Sequence, residues 1–398
     1  MTPRRVLYLD TRFEHQAGGD KNRSRFLWQV LRGTFSADFG MIDTDGSSAP
    51  SNVTINEFPP AITLRTKRSP WWQPASLFSF DRPELDRFRK HLLSQRYDLI
   101  VARFHSPYSL CRAAAKHLSE TAIMVDLDMV SSRLVGLTWK QAPSIRNRWF
   151  LLEKIKLQRF ERKLLQQPWL ISFSNPVELD DLRHHAAPNP PPCRFFELPN
   201  VMPQDRPLER QSMEAMILFF GSLNSDANLD GFKFLMELLP LVDADLKRHQ
   251  VKIHVAGKNP PAWFAQSIQN YGTDRVVLLG AVDSMAQTIA NSRFVVLPLR
   301  VASGTRTRIL EAAAQQRAVV TTPIGAEGID VGNAAHVHKS PADLALAIRD
   351  LLDHPEAAED LGRRLATRCR ARYSPERVAA DLSNELDLFL KGNKGGHL

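Results

Sequence analysis

The residues whose spacing most suggests chemistry lie in Phe294–Gly328, FVVLPLRVASGTRTRILEAAAQQRAVVTTPIGAEG. A buried strand is predicted to end at Pro298, a short loop carries Ser303, Gly304 and Thr305, and a helix is predicted from about Arg306. Glycine at 304 lets a ligand approach the backbone, and the free amides and dipole of a helix start favour an anion there. Arg306 and Arg308 add guanidinium groups suited to phosphate oxygens. Glu311, one to two turns into the helix, can accept hydrogen bonds from vicinal hydroxyls such as those of a ribose. Together these parts can hold a nucleoside diphosphate. The same spacing also describes an ordinary helix start with Glu311 on a solvated face. Two further places carry reactive side chains. Asp126 and Asp128 flank Leu127 after a predicted strand over Ala122–Val125, where two carboxylates can share a cation, bond a ligand or cap the next helix. His105 follows the predicted strand Asp98–Ala102, as a site residue or as a surface loop histidine.

These residues need a scaffold of alternating strands and helices, and the sequence contains two. The first opens with Val6–Leu9 and the Gly18-Gly19 loop, then a helix over about 21–31. The region 44–80 reads as irregular, with one strand near Val53–Phe58. Helices over 83–95, 108–118 and 144–166 then alternate with strands Asp98–Ala102, Ala122–Val125 and Trp169–Ser172. A proline-dense linker is predicted over 186–212. After it come strands at 215–220, 252–256, 276–279, 294–297, 318–322 and 336–338, with helices near 229–239, 261–270, 284–290, 306–316 and 341–353. Helices over 356–372 and 375–390 follow. Short apolar strands bounded by helices imply parallel sheets covered on both faces. The expectation is therefore α/β: two doubly wound, Rossmann-like domains, 1–198 and 199–374, facing a cleft that holds the ligand. The closing segment 375–398 is expected to be a helix that returns to the first domain and braces the seam, with a short tail.

Composition narrows the function. The 398 residues carry a net charge of +9. Residues 1–198 hold 29 Lys and Arg against 20 Asp and Glu, whereas the remainder is balanced. A basic first half and a neutral second half imply different partners, one of them anionic. Three widely spaced cysteines indicate neither a disulfide framework nor a zinc site. The N-terminal apolar run is short for a signal peptide and no segment reaches the ~20 apolar residues of a membrane span, so a cytoplasmic protein is expected. The stretch 133–163 holds nine basic residues against Glu153 and Glu161, and helical winding places Ile145, Trp149, Leu152, Phe160 and Leu164 on one side. Such a helix either rests on anionic lipid at the inner face of a membrane, with Trp71 and Trp72 beside it, or forms a core helix with a solvated basic face. No nucleic-acid recognition module is legible. Dinucleotide, P-loop, zinc-protease and nucleophile-elbow motifs are all missing.

The 294–328 stretch resembles the donor-binding signature of the family-4 type glycosyltransferases (glycosyl transferases group 1) of the GT-B fold. LPNVMP, FFGSLNSDANLDG, IHVAGKNP, VVLLGAV and TTPIGAEG follow in the same order, so the likeness covers about 197–372. It implies a retaining, hexosyltransferase-type enzyme that moves a sugar from a nucleotide-diphosphate sugar to a hydroxyl acceptor, a glycan or a lipid-linked one, as in polysaccharide biosynthesis, without a metal or other cofactor. By position, Glu311 would bind the donor ribose, Gly304 and Thr305 would offer amides to the diphosphate, and Arg308 and Lys258 would face the phosphates. The Leu279–Val282 loop would flank the base, and Gly221 and Asn224 would line the donor side. Gly18 and Gly19, on the acceptor side, would approach the sugar or its phosphate from the other domain, and His105, Asp126 and Asp128 would serve the acceptor domain, the two aspartates by acceptor bonding or helix capping rather than by holding metal. Many members carry a glutamate eight positions before the one at 311; here that place is Ser303. The remaining alternatives are a nucleotide-sugar epimerase of the same fold and a non-catalytic partner protein.

Overall fold

The computed structural model describes residues 4–394 apart from 12–17, 45–59, 69, 72, 75–77, 105–107, 118–119, 142–147, 187–191, 205, 212–215, 272–273, 303 and 305. The chain divides into two units, Met1–Pro199 with Ala379–Leu398, and Asn200–Val378.

The first unit contains β1 (Arg5–Thr11), α1 (Gly18–Thr34), β2 (Ser36–Asp43), β3 (Ile62–Arg65), β4 (Lys67–Arg68), β5 (Phe78–Ser79), α2 (Arg82–Gln95), β6 (Leu99–Arg103) and α3 (Tyr108–His117). It continues with β7 (Ala122–Leu127), α4 (Ser131–Gln141), α5 (Trp149–Leu165), β8 (Leu170–Phe173), α6 (Pro176–Ala186) and β9 (Arg194–Glu197). Seven strands form one sheet in the order β3-β2-β1-β6-β7-β8-β9, every pair parallel, while β4 and β5 make a separate antiparallel hairpin. Strands β6, β7 and β8 are buried throughout, as parallel strands covered on both faces must be. Asp81 starts α2 by accepting the Glu84 N–H at 3.0 Å, with Pro83 in the first turn.

The second unit contains β10 (Met216–Phe220), α7 (Asp226–Arg248), β11 (Lys252–Ala256), α8 (Ala262–Tyr271), β12 (Val276–Gly280), α9 (Met285–Asn291) and β13 (Phe294–Leu297). Then follow α10 (Thr307–Ala314), β14 (Ala318–Thr321), α11 (Pro323–Ala326), β15 (His336–Val337), α12 (Pro341–Asp353), α13 (Pro355–Tyr373) and the start of α14 (Pro375–Lys394). Its six strands run β12-β11-β10-β13-β14-β15, again all parallel. From Ala379 onward α14 groups with the first unit, where Glu385 and Asp387 pair with Arg194 (2.6 Å) and Arg4 (2.9 Å).

The structure departs from the sequence expectations where local signals were weak or misleading. Strands β2 and β3 and helix α4 lack a clean period and were not anticipated, and the strand expected near Val53–Phe58 lies outside the described residues. The linker over 186–212 contains β9, which pairs with β8 at the sheet edge beyond the prolines. Helix α7 runs through Pro240 instead of stopping there, held by the buried Leu238, Leu239, Val242 and Leu246 on its inner face. Gly18 and Gly19 open α1 rather than forming a loop. In α5 the face turned inward is Glu153, Leu157, Glu161 and Leu164, while Trp149 and Leu152 are 53% and 63% exposed. The expected apolar side is thereby split. Phe160 packs on Tyr108 with ring centres 4.8 Å apart, and Glu161 turns inward to accept the Ser132 N–H at the start of α4. Ile145 lies outside the described residues.

Candidate active site

In an open parallel sheet, ligands bind beyond the carboxyl ends of the strands, where neighbouring loops diverge. In the second unit that point lies between β10 and β13, the two central neighbours from which the order runs outward in both directions. The loop after β10 starts at Gly221, the loop after β11 at Gly257, and the loop after β13 leads through Gly304 into α10. The first two approach each other closely. Gly221 N–H donates to Ala256 O at 3.1 Å and Leu223 N–H to Lys258 O at 3.2 Å. A Cβ on Gly257, whose φ is +155°, would overlap the carbonyl oxygen of Gly221. Only glycine permits this contact, because it lacks the Cβ and accepts positive φ.

Above this shelf stands Arg308, in the first turn of α10. Ile309, Leu310 and Ala312–Ala314 bury one side of that helix, which leaves Arg308 and Glu311, three residues apart, together on the half-buried side. Arg308 Nη1 donates to Phe220 O (2.9 Å) and to Asn228 Oδ1 (2.5 Å), and it lies 3.0 Å from where a Cβ on Gly221 would be. Its Nε and Nη2 make no hydrogen bond among the described residues. Burial draws this guanidinium down to about 10, opposed by the Glu311 carboxylate, while the charge of Arg306 adds to the depression. Burial likewise raises the Glu311 carboxyl, against the pull of Arg308. Glu311 makes no hydrogen bond among the described residues. The site thus presents an under-compensated cation and an open carboxyl beside a shelf of bare backbone. That arrangement can take an anion and a pair of hydroxyls.

The other expected residues fall in several places. Lys258 is exposed directly after Gly257, and Asn224 is exposed with its Oδ1 2.8 Å from Ser222 Oγ. Val282 is half-buried in the loop after β12, packed against the core around β13 and α10. Gly304 is described, with φ +75°, but Ser303, Thr305 and His105 lie outside the described residues. Arg306 does not extend the phosphate site. It is buried, donates from Nε to Ile324 O at 2.8 Å and from Nη1 to Gly304 O, and stands 3.7 Å from Glu327, so it braces the loop from within. Asn228 escaped sequence reasoning. It is buried in α7, donates to Ser222 O at 2.7 Å and fixes Arg308. Its only signal was a position four residues after Asn224 in the quoted FFGSLNSDANLDG segment.

In the first unit the aspartates are engaged inside the protein. Asp126 belongs to β7 itself and is fully buried. Its carboxylate accepts from Arg23 (2.6 and 2.9 Å), Arg103 (2.8 Å) and Ser172 (2.6 Å), and Arg23 also approaches Asp128 at 3.8 Å. Burial pushes the Asp126 carboxyl up, but the two guanidiniums and the hydroxyl outweigh it and hold it well below the usual range. Asp10, at the end of β1, is raised by burial, and Tyr8 donates to it at 2.7 Å. The expectation that Asp126 faces an acceptor therefore gives way to an internal ion network beneath the β1–β6 divergence. Its oxygens are already filled by protein donors. Phe104, next after β6, has φ +61° and lies under the Arg103 guanidinium at 4.0 Å from the ring centre. A left-handed phenylalanine costs roughly 1–2 kcal/mol.

Comparison with known proteins gives this architecture its class. Residues 214–354 match the family model described as glycosyl transferases group 1. Sucrose-phosphate synthase from Thermosynechococcus elongatus aligns over 98% of this chain and 100% of its own, with TM-score 0.71 at 16% identity. WaaG, a glycosyltransferase involved in lipopolysaccharide biosynthesis, covers 94% and 98% with TM-score 0.65 at 16% identity. Anabaena HepE, solved in complex with UDP and glucose, covers 96% and 99% with TM-score 0.64 at 14% identity. No curated protein matches the chain by sequence. The fold is the two-domain α/β fold of the GT-B glycosyltransferases. The matched family segment spans β10 to α12, the part that carries Gly221, Gly257, Arg308 and Glu311.

Proposed function

We propose that the protein is a retaining glycosyltransferase that takes a hexose from a nucleotide-diphosphate sugar and delivers it to a hydroxyl acceptor, a glycan or a lipid-linked one, with no metal required. The observation that carries the reading is the half-committed Arg308 guanidinium above the Gly221–Gly257 shelf with the open Glu311 carboxyl three residues on. Glu311 accepts the ribose hydroxyls, Gly304 and Thr305 give amides to the diphosphate, and Arg308 and Lys258 meet its charge. Val282 borders the base, and Ser303, Gly221 and Asn224 line the sugar side. The UDP bound by the structurally similar HepE supports a diphosphate ligand for this site.

In the proposed reaction the bond between the anomeric carbon and the diphosphate oxygen breaks as the acceptor oxygen bonds the same face of that carbon. The acceptor proton passes to the departing phosphate oxygen, so no separate base is required. Arg308 and Lys258 stabilise the charge that gathers on the diphosphate, the effect expected to contribute most to the rate. The first unit takes the acceptor, with His105 and the Gly18–Gly19 start of α1 at its receiving end and the Asp126 network as rigid support. Trp149, Leu152 and Ile155 are exposed on α5 beside Lys154, Lys156 and Arg159, and Lys156 Nζ donates to the carbonyl of the exposed Trp71 at 2.5 Å. An apolar patch ringed by cations suits peripheral contact with an anionic membrane. Incubation with radiolabelled nucleotide sugars, with and without membrane extract, tests the reading. Label appearing in an acceptor with the donor's anomeric configuration supports it; free sugar released without any acceptor requirement contradicts it.

A further inference from the structure

A cavity of about 260 Å³ lies among α4, α5 and α6 of the first unit. Val130, Leu137 and Leu182 give it apolar walls, and Lys140, Lys154 and Glu161 line it with charge. Glu161 is 1% exposed. One of its oxygens accepts the Ser132 N–H at 3.0 Å, and the other, also buried, has no hydrogen-bond partner among the described residues. The Lys154 side chain lies along α4 at Gly136, its Nζ 3.4 Å from where a Cβ would stand, and it forms no ion pair among the described residues. Arg133 also borders the cavity, but Glu178 (3.3 Å) and Asp181 (3.1 Å) engage it.

A buried carboxyl short of one partner costs free energy unless a ligand or water hydrogen-bonds to it. A lysine without a counter-ion on the same wall takes an anionic oxygen. Both needs are met by one molecule that carries a hydroxyl and a phosphate a few bonds apart. We propose that the α4–α5–α6 cavity binds the phosphate ester of a small polyol, its hydroxyl hydrogen-bonded to the free Glu161 oxygen and its phosphate held by Lys154 and Lys140. That chemistry belongs equally to a soluble polyol phosphate and to the glycerol phosphate headgroup of an anionic lipid. Binding here is independent of the nucleotide-sugar reading.

The test is calorimetric titration of the full chain with glycerol phosphate and with inorganic phosphate, beside flotation with phosphatidylglycerol or phosphatidylcholine vesicles. Lys154→Gln removes the cation, and Gly136→Leu fills the cavity while improving the helix propensity of α4. Thermal melts establish that both variants fold. The expected result is saturable binding of glycerol phosphate, tighter than that of inorganic phosphate, and weakened at least ten-fold in both variants. If the source is lipid, phosphatidylglycerol flotation shows the same dependence on Lys154 and Gly136 even where the soluble ester binds weakly. Binding that neither variant alters, or no binding in either arm, overturns the proposal.

Discussion

Replacing Arg308 with Met separates a ligand-binding cation from a structural one. Burial holds the guanidinium down at about 10, which at about 1.4 kcal/mol per pH unit means that burying the charge costs the free protein about 3 kcal/mol. Methionine removes that cost. It also leaves Phe220 O and Asn228 Oδ1 without the Nη1 donor, at about 1–3 kcal/mol for each buried acceptor. These terms oppose each other at similar size, so the variant should keep its stability to within about 3 kcal/mol. Nucleotide binding should respond quite differently. Taking one cation away from a desolvated phosphate costs about 2–5 kcal/mol, a loss of about 30-fold or more in affinity. The assay is thermal unfolding with and without nucleoside diphosphate. A ligand at a hundred times its dissociation constant adds about 2.7 kcal/mol to the wild type, and the same concentration should add under about 1 kcal/mol to the variant. An undiminished nucleotide shift in Arg308→Met would refute the phosphate role. A collapse of the free protein by more than about 5 kcal/mol would instead make Arg308 a brace of the core.

Gly257→Ala should cost about 3 kcal/mol or more in urea unfolding, because the new Cβ meets Gly221 O at positive φ; Gly280→Ala, with nothing within 4 Å, should cost only about 1 kcal/mol. Asp126→Asn should destabilise by about 3–5 kcal/mol, since Arg23 and Arg103 lose the charge that compensates them. The Glu161 carboxyl, raised by burial from 4.5 to about 7, binds its proton more tightly in the folded state. Its contribution to stability is therefore complete below pH 4.5 and is lost as pH rises to 7, by about 3 kcal/mol. Melting curves across pH 5–8 should show this decline in the wild type but not in Glu161→Gln.

The second unit was largely legible in the sequence because its strands are short apolar runs and its helices have clear starts. Ser340 before Pro341 caps α12, and Ser284 caps α9. The first unit was harder to read. Strand β2 carries Ser36, Ala37 and Asp38 before its buried part, so neither alternation nor a continuous apolar run marks it. Helix α5 shows why periodicity alone misleads. Apolar residues alone point to a side with Trp149 and Leu152, yet the inward face carries Glu153 and Glu161, the latter because the start of α4 needs an acceptor that sits 29 residues further along the chain. The same holds at the candidate site. The Arg308–Glu311 pair and the glycine ends of β10 and β11 can be read from adjacent residues. The bond from Arg308 to Asn228 joins positions 80 apart, and the enclosure of Asp126 by Arg23 and Arg103 spans 103 and 23. Only the folded sheet brings these together.

The most direct test is the thermal response to a panel of UDP, GDP, ADP, TDP and CMP, in the wild type and in Glu311→Ala. One nucleoside diphosphate should stabilise the wild type by several degrees, and that shift should largely disappear in Glu311→Ala while the variant melts near the unliganded wild type. Equal stabilisation of both proteins, or no response of the wild type to any nucleotide, would contradict a nucleotide-sugar site at Arg308 and Glu311.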